Sequence, residues 1–158
     1  MYKAILLDLN STLSENWRSV GVGRHTSEDK IRNIERYRAW LADWLRGVDC
    51  KVYIFTVRPV RTQEATLETI SKRLSWTPDG AYFNDTAFTG NDADKVKSIL
   101  LDRLMDQTGL KPEDLYAFES NSQTRAMYNR RGVQCRRIGE PSHLPPVAWF
   151  RKGAMKAD

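Results

Sequence analysis

The chain has 158 residues, 41% of them hydrophobic and 28% charged, with a formal net charge of +5. That length suits one domain with a sizeable core, and the composition excludes a disordered or fibrous chain. No apolar run approaches the roughly 20 residues of a membrane span and no signal-type segment opens the sequence, so a cytoplasmic protein without membrane attachment is expected.

In chain order, strand-like and helix-like segments alternate. The run from Tyr2 to Leu7 reads as a central strand covered on both faces. Ser27, followed by Glu28 and Asp29, can cap a helix whose apolar positions Ile31, Ile34, Tyr37, Leu41, Trp44 and Leu45 share one face, and which stops before Gly47. Val52 to Phe55 predicts a second strand ending at Thr56, and Pro59 suits the start of a helix carrying Leu67, Ile70 and Leu74. After the turn Pro78-Asp79-Gly80 comes a short strand, Ala81 to Phe83; Asp94 then opens a helix running to Gly109. Leu115 to Phe118 predicts a strand, Gln123 to Arg131 a helix stopped by Gly132, and Val133 to Ile138 a last strand.

Strands separated by helices imply βαβ units and an α/β, three-layer, Rossmann-like parallel sheet. Residues 1–140 form the expected domain, and 141–158 an irregular tail whose Trp149-Phe150 packs back on the body or trails from it. Cys50 and Cys135 make no disulfide framework or metal cluster and read as buried free thiols. Residues 121–137 hold Arg125, Arg130, Arg131, Arg136 and Arg137 with no acid, either a basic approach for a polyanion or a solvated helix face followed by a strand exit.

Ligands of open α/β sheets sit beyond the carboxyl ends of the strands. Here those ends carry Asp8, Thr56 and Glu119. A carboxylate at each of two strand ends can share a hard divalent cation such as Mg²⁺, while a hydroxyl and a lysine beside them could hold phosphate oxygens. The chemistry implied is phosphoryl transfer through an aspartyl nucleophile.

The stretches "ILLDLNSTL", "VYIFTVRP", "DKVKSILL" and "LYAFESNSQ", in that order, resemble the four signature motifs of the haloacid dehalogenase (HAD) superfamily, and together they cover nearly the whole chain. More narrowly, "AFESNSQTRAMYNRRGVQC" resembles the last motif, helix and strand of the phosphatase domain of phage-type polynucleotide kinases. The resemblance implies that Asp8 is the nucleophile and that its carboxylate, the Asn10 carbonyl and Glu119 bind Mg²⁺. Thr56 and Ser11 or Thr12 would bond the transferring phosphoryl group. Lys97 would neutralise it, with Lys95 as the alternative, and Arg58 is either a substrate-phosphate contact or a surface arginine.

Two departures from the family pattern bear on activity. Where the family's phosphatases carry a second aspartate as general acid and base, this chain has Asn10, whose amide exchanges no proton. General acid–base catalysis contributes roughly 10²–10⁴-fold, so turnover of an alkyl phosphate is expected to be slow. An amide there fits an engineered trap for a substrate complex, a leaving group that needs no proton such as a phosphoanhydride or acyl phosphate, or a domain that binds without catalysis. Glu119-Ser120-Asn121 also replaces an acidic pair, removing one negative charge from the metal site.

The segment between Thr12 and Ser27, with Gly21 and Gly23, is long enough for a flap only, so no large cap domain is expected. An open site admits nucleotide phosphates and polynucleotide ends alike. Trp17 in the flap either stacks a base or anchors the flap. Two classes remain: a Mg²⁺-dependent phosphomonoesterase acting on a nucleotide or polynucleotide (3′-)phosphate, or a catalytically inactive phosphate- or nucleic-acid-binding relative of one. A dinucleotide-binding domain is disfavoured, because no Gly-x-Gly-x-x-Gly follows the first strand. Oligomeric state is not written in these residues.

Overall fold

The computed structural model describes residues 1–153. Its centre is a five-stranded parallel sheet of order β3-β2-β1-β4-β5, built from β1 (Ala4–Leu7), β2 (Lys51–Pro59), β3 (Gly80–Asn84), β4 (Leu115–Phe118) and β5 (Gln134–Arg136). Every residue of β1 is buried, because alternate side chains serve opposite layers. Ile5 and Leu7 face a core with Leu41 and Leu45 of α2 (Ala39–Arg46) and Ile70 of α3 (Gln63–Leu74). Ala4 and Leu6 face Val96, Leu100 and Leu104 of α4 (Ala93–Thr108) and Met127 of α5 (Ser122–Arg130). The three-layer parallel architecture is therefore as the sequence predicts, with only the short flap between β1 and α1 (Glu28–Ile34) standing over the sheet among the described residues.

The chain runs outward from β1 to β3 and then returns to β4 on the other side of β1. This reversal opens a crevice beyond the carboxyl ends of β1 and β4.

Four elements differ from the predicted ones. The single amphipathic helix from Ser27 to Gly47 is two helices, α1 and α2. Ser27 caps the first, its hydroxyl accepting from the Lys30 amide, but Glu35 turns to extended dihedrals and Ile34, expected on the apolar face, is exposed. The break exists because Glu35 is buried and its carboxylate accepts hydrogen bonds from Ser14, Tyr37 and Arg58, partners that a continuous helix would forgo. Strand β2 runs on to Pro59, four residues past Phe55, and its pairing with β3 shifts register between Phe55 and Pro59. Thr56 Oγ1 accepts the Arg58 amide within that irregular stretch, and α3 starts at Gln63 rather than at Pro59. At the far edge β5 spans Gln134–Arg136, shorter than the apolar run suggests.

Beyond β5 the chain makes two 3-10 turns, Pro141–His143 and Val147–Phe150. Phe150 is buried among Tyr2, Trp44, Tyr116 and Phe118, and the backbone of Trp149 and Phe150 accepts from Tyr2 and Asp49 amides at 3.0 and 2.9 Å. Cys50 is buried and free; Cys135, expected to be buried, is only partly so. No helix among the described residues is long and apolar enough to cross a membrane.

Candidate active site

The two strand-end acids are held by the sheet itself. The Asp8 amide donates to the Phe118 carbonyl and the Glu119 amide to the Arg136 carbonyl, each at 3.0 Å, so β1, β4 and β5 aim them into one crevice. Past Asp8 the chain closes a tight loop in which Thr12 and Ser14 amides both donate to Leu9 and the Ser11 amide donates to Ser14. Ser11 takes a left-handed φ of 67° there, and Leu9 and Leu13 are buried beneath it.

Lys97, on the inward face of α4, is 2% exposed and bridges the acids: its Nζ donates to Asp8 Oδ1 at 2.8 Å and to Glu119 Oε1. Burial alone would push this ammonium down, but the charges and hydrogen bonds of Asp8 and Glu119 outweigh it and hold the pKa above its ordinary value. Burial and the Asp8 charge push the Glu119 carboxyl up to about 7, against the pull of Lys97 and the Asn121 amide. Asp8 Oδ2 accepts from the Thr12 hydroxyl at 3.1 Å and the Ser120 hydroxyl at 2.7 Å.

Ser120 Oγ also lies 3.0 Å from the Asn10 carbonyl oxygen. Octahedral Mg²⁺ with bonds of about 2.1 Å holds neighbouring ligands about 3 Å apart, close to the spacing of Ser120 Oγ from Asp8 Oδ2 and from the Asn10 carbonyl oxygen. The donor set is hard oxygen throughout, which fits that cation. Among the described residues no three His, Cys, Asp or Glu side chains cluster as a metal site, so a cation here would need main-chain and hydroxyl oxygens beside Asp8. Glu119, expected as a ligand, accepts from Lys97 at Oε1 and from the Asn121 amide at Oε2.

The crevice has a volume of about 680 Å³. Asp8, Asn10, Ser11, Lys97 and Glu119 line it, and Thr12 stands behind Asp8. Thr56 and Arg58 do not line it. The Thr56 hydroxyl is engaged by the Arg58 amide at 3.1 Å. Arg58, expected either at the substrate phosphate or on the surface, is 1% exposed: its guanidinium is paired with Glu35 and its Nε donates to Asn10 Oδ1 at 3.1 Å. Burial alone would raise the Glu35 pKa, but Arg58, Ser14 and Tyr37 hold it below its usual value. Lys95, the alternative lysine, is exposed and 3.6 Å from Asp92.

Sequence reasoning missed Ser120 and Glu35. Glu35 carried a signal: it lies four residues after Ile31, on the apolar stripe of its helix pattern, where an acid requires a buried partner. The mouth is lined by Trp17 and Arg24 of the flap and by Arg137. Of the basic window, Arg125 is turned inward to the Glu119 and Ser120 carbonyls, Arg131 pairs with Asp102, and Arg136 bonds the His143 carbonyl, so much of that charge is structural.

The sheet and its flanking helices make a HAD-like α/β fold, with a small flap and no large cap among the described residues. No protein-family model and no curated protein sequence matches the chain. Solved structures do. One is a chain of the Pnkp1/Rnl/Hen1 RNA repair complex, with 16% identity and a TM-score of 0.60 over 87% of this chain. Another is the N-terminal part of a Bacteroides fragilis protein containing a phosphatase domain, complexed with Mg, at 12% identity and TM-score 0.57 over 85% of this chain. A predicted HAD-like family hydrolase from Porphyromonas gingivalis matches at 13% identity and TM-score 0.55, covering 89% of this chain and 94% of its own. The chain spans 42% of the repair-complex chain and 35% of the Bacteroides one.

Proposed function

We propose that this protein is a Mg²⁺-dependent phosphomonoesterase that works through a phosphoaspartate on Asp8 and takes a nucleotide or polynucleotide (3′-)phosphate, with turnover slowed by Asn10. One observation carries the reading: a buried carboxylate at the sheet's switch point has one oxygen on Lys97 and the other beside the Ser120 hydroxyl, itself next to the Asn10 carbonyl. The likeness to a Mg-complexed phosphatase domain supports it.

Asp8, with a free crevice in front of it, is the group able to attack phosphorus. Lys97 offsets the charge that gathers on the phosphoryl oxygens, and Ser11, lining the same crevice, offers them a hydroxyl. Mg²⁺, when bound by Asp8, the Asn10 carbonyl and Ser120, supplies further charge neutralisation of those oxygens. Glu119 joins that shell directly or through water. Trp17, Arg24 and Arg137 at the mouth suit a nucleotide or a nucleic-acid end, and the likeness to a chain of an RNA repair complex points the same way.

Phosphate release from a 3′-phosphorylated oligonucleotide and from mononucleotides with Mg²⁺ tests this. Asn10→Asp should raise turnover by roughly 10²–10⁴-fold. Asp8→Ala should abolish it, and activity persisting in Asp8→Ala would refute the assignment. The second reading, a phosphate-binding domain without catalysis, rests on Asn10 and Ser120 standing where acids would be; it prevails if Asn10→Asp binds phosphate yet releases none.

A further inference from the structure

We propose that Asp8 accepts a phosphoryl group from an acyl phosphate and keeps it, so that this chain accumulates a long-lived phosphoaspartate. The inference rests on the reading of Asp8 as nucleophile.

The orientation of one amide starts the argument. Arg58 Nε carries only a hydrogen to offer, so the Asn10 atom it meets at 3.1 Å is the oxygen. Arg58 cannot shift to release that oxygen, because its guanidinium is buried against Glu35 and Thr66. Asn10 lines the crevice with its NH₂ as the free end, which neither takes nor gives a proton near neutral pH.

No neighbouring group replaces it. The ionisable residues lining the crevice are Asp8, Arg24, Lys97, Glu119 and Arg137. Three of these are cations and accept no proton. Glu119 has one oxygen on Lys97 and the other on the Asn121 amide. The Thr12 and Ser120 hydroxyls donate to Asp8 itself. A site so built can make a phosphoaspartate, but among the described residues the one other carboxylate in the crevice, Glu119, is held by Lys97 and the Asn121 amide, so the water that would cleave the adduct meets no unengaged base.

The same lack selects the donor. In the step proposed, an Asp8 carboxylate oxygen attacks phosphorus, the bond from phosphorus to the acyl oxygen breaks, and its electron pair leaves on a carboxylate. Carboxylic acids have pKa values of about 4 and leave without a proton, whereas an alkoxide needs one. The products are a mixed anhydride on Asp8 and a free carboxylate, so no other reactant is consumed.

Intact-mass measurement of the full chain after incubation with acetyl phosphate and Mg²⁺ tests this. The expected result is a single added phosphoryl group, mapped to the peptide containing Asp8, absent from Asp8→Asn, and decaying roughly 10²–10⁴-fold more slowly than in Asn10→Asp once donor is removed. An adduct on Asp8→Asn overturns the proposal, as does an adduct that decays equally fast in both chains. If the native chain takes no adduct while Asn10→Asp hydrolyses acetyl phosphate, the accumulation fails and the nucleophile stands. If neither chain reacts and Asn10→Asp also spares every phosphomonoester, both readings fail together.

Discussion

Replacing Lys97 by methionine isolates the buried charge cluster on which the candidate site is built. Methionine nearly conserves the volume, so packing around α4 stays close to native and the perturbation is electrostatic. What remains is Asp8 and Glu119, 6% and 2% exposed, facing each other without their shared cation. Breaking a buried ion pair by removing one partner costs about 3–5 kcal/mol, and a domain of this length loses about 2–4 °C in Tm per kcal/mol. Lys97→Met should therefore melt roughly 6–20 °C below the native chain in metal-free buffer at pH 8, followed by circular dichroism. Lowering the pH should recover part of that loss, because Glu119 can take a proton and end the repulsion. Adding Glu119→Gln to Lys97→Met should recover most of it even at pH 8, a coupling that a double-mutant cycle measures directly. Were Lys97→Met to melt with the native chain at pH 8, or the double variant to melt no higher than the single one, the buried cluster would not be the energetic unit described.

Two further predictions concern the Glu119 carboxyl and the separate buried pair of Arg58 and Glu35. The Glu119 carboxyl titrates at about 7 in the folded chain against an ordinary 4.5, so the folded state holds the extra proton, and this group's stability is full below 4.5 and lost as pH rises through 7. The metal-free protein should thus lose Tm between pH 5 and 8, while Mg²⁺ raises Tm more at pH 8 than at pH 5.5; a Mg²⁺ effect larger at the acid end would contradict the ligand set. Arg58→Met should destabilise by about 3–5 kcal/mol in urea unfolding, because Glu35 would be left buried and unpaired, and adding Glu35→Gln should restore part of it. A loss under 1 kcal/mol for Arg58→Met would show that Arg58 is not held as the hydrogen bonds indicate.

Fold class was legible because it depends on periodicity and punctuation. The apolar runs before Asp8 and Glu119, with helical stretches between them, lead to a parallel sheet whatever the details of packing. The departures are of a different kind. Thr56 and Arg58 follow a strand as a phosphate contact and a substrate arginine would, but in the irregular stretch of β2 the Thr56 hydroxyl accepts from the Arg58 amide and the Arg58 guanidinium is paired with Glu35. Glu35 ends α1 against its local helical pattern because a buried carboxylate gains more from Arg58, Ser14 and Tyr37 than from one more helical turn.

By itself, then, the order of residues determined that β1 would deliver Asp8 and β4 Glu119 to the same edge of a parallel sheet, since strand direction and side-chain alternation are local properties of the chain. Only the tertiary structure decided what those carboxylates meet. Whether Lys97 or Lys95 reaches Asp8 turns on which face of α4 is packed on the sheet, and the answer is a buried Lys97. Whether Asn10 turns its oxygen or its NH₂ to the crevice depends on an arginine 48 residues away and on the glutamate holding it, contacts that no local pattern contains because they form only when the core closes.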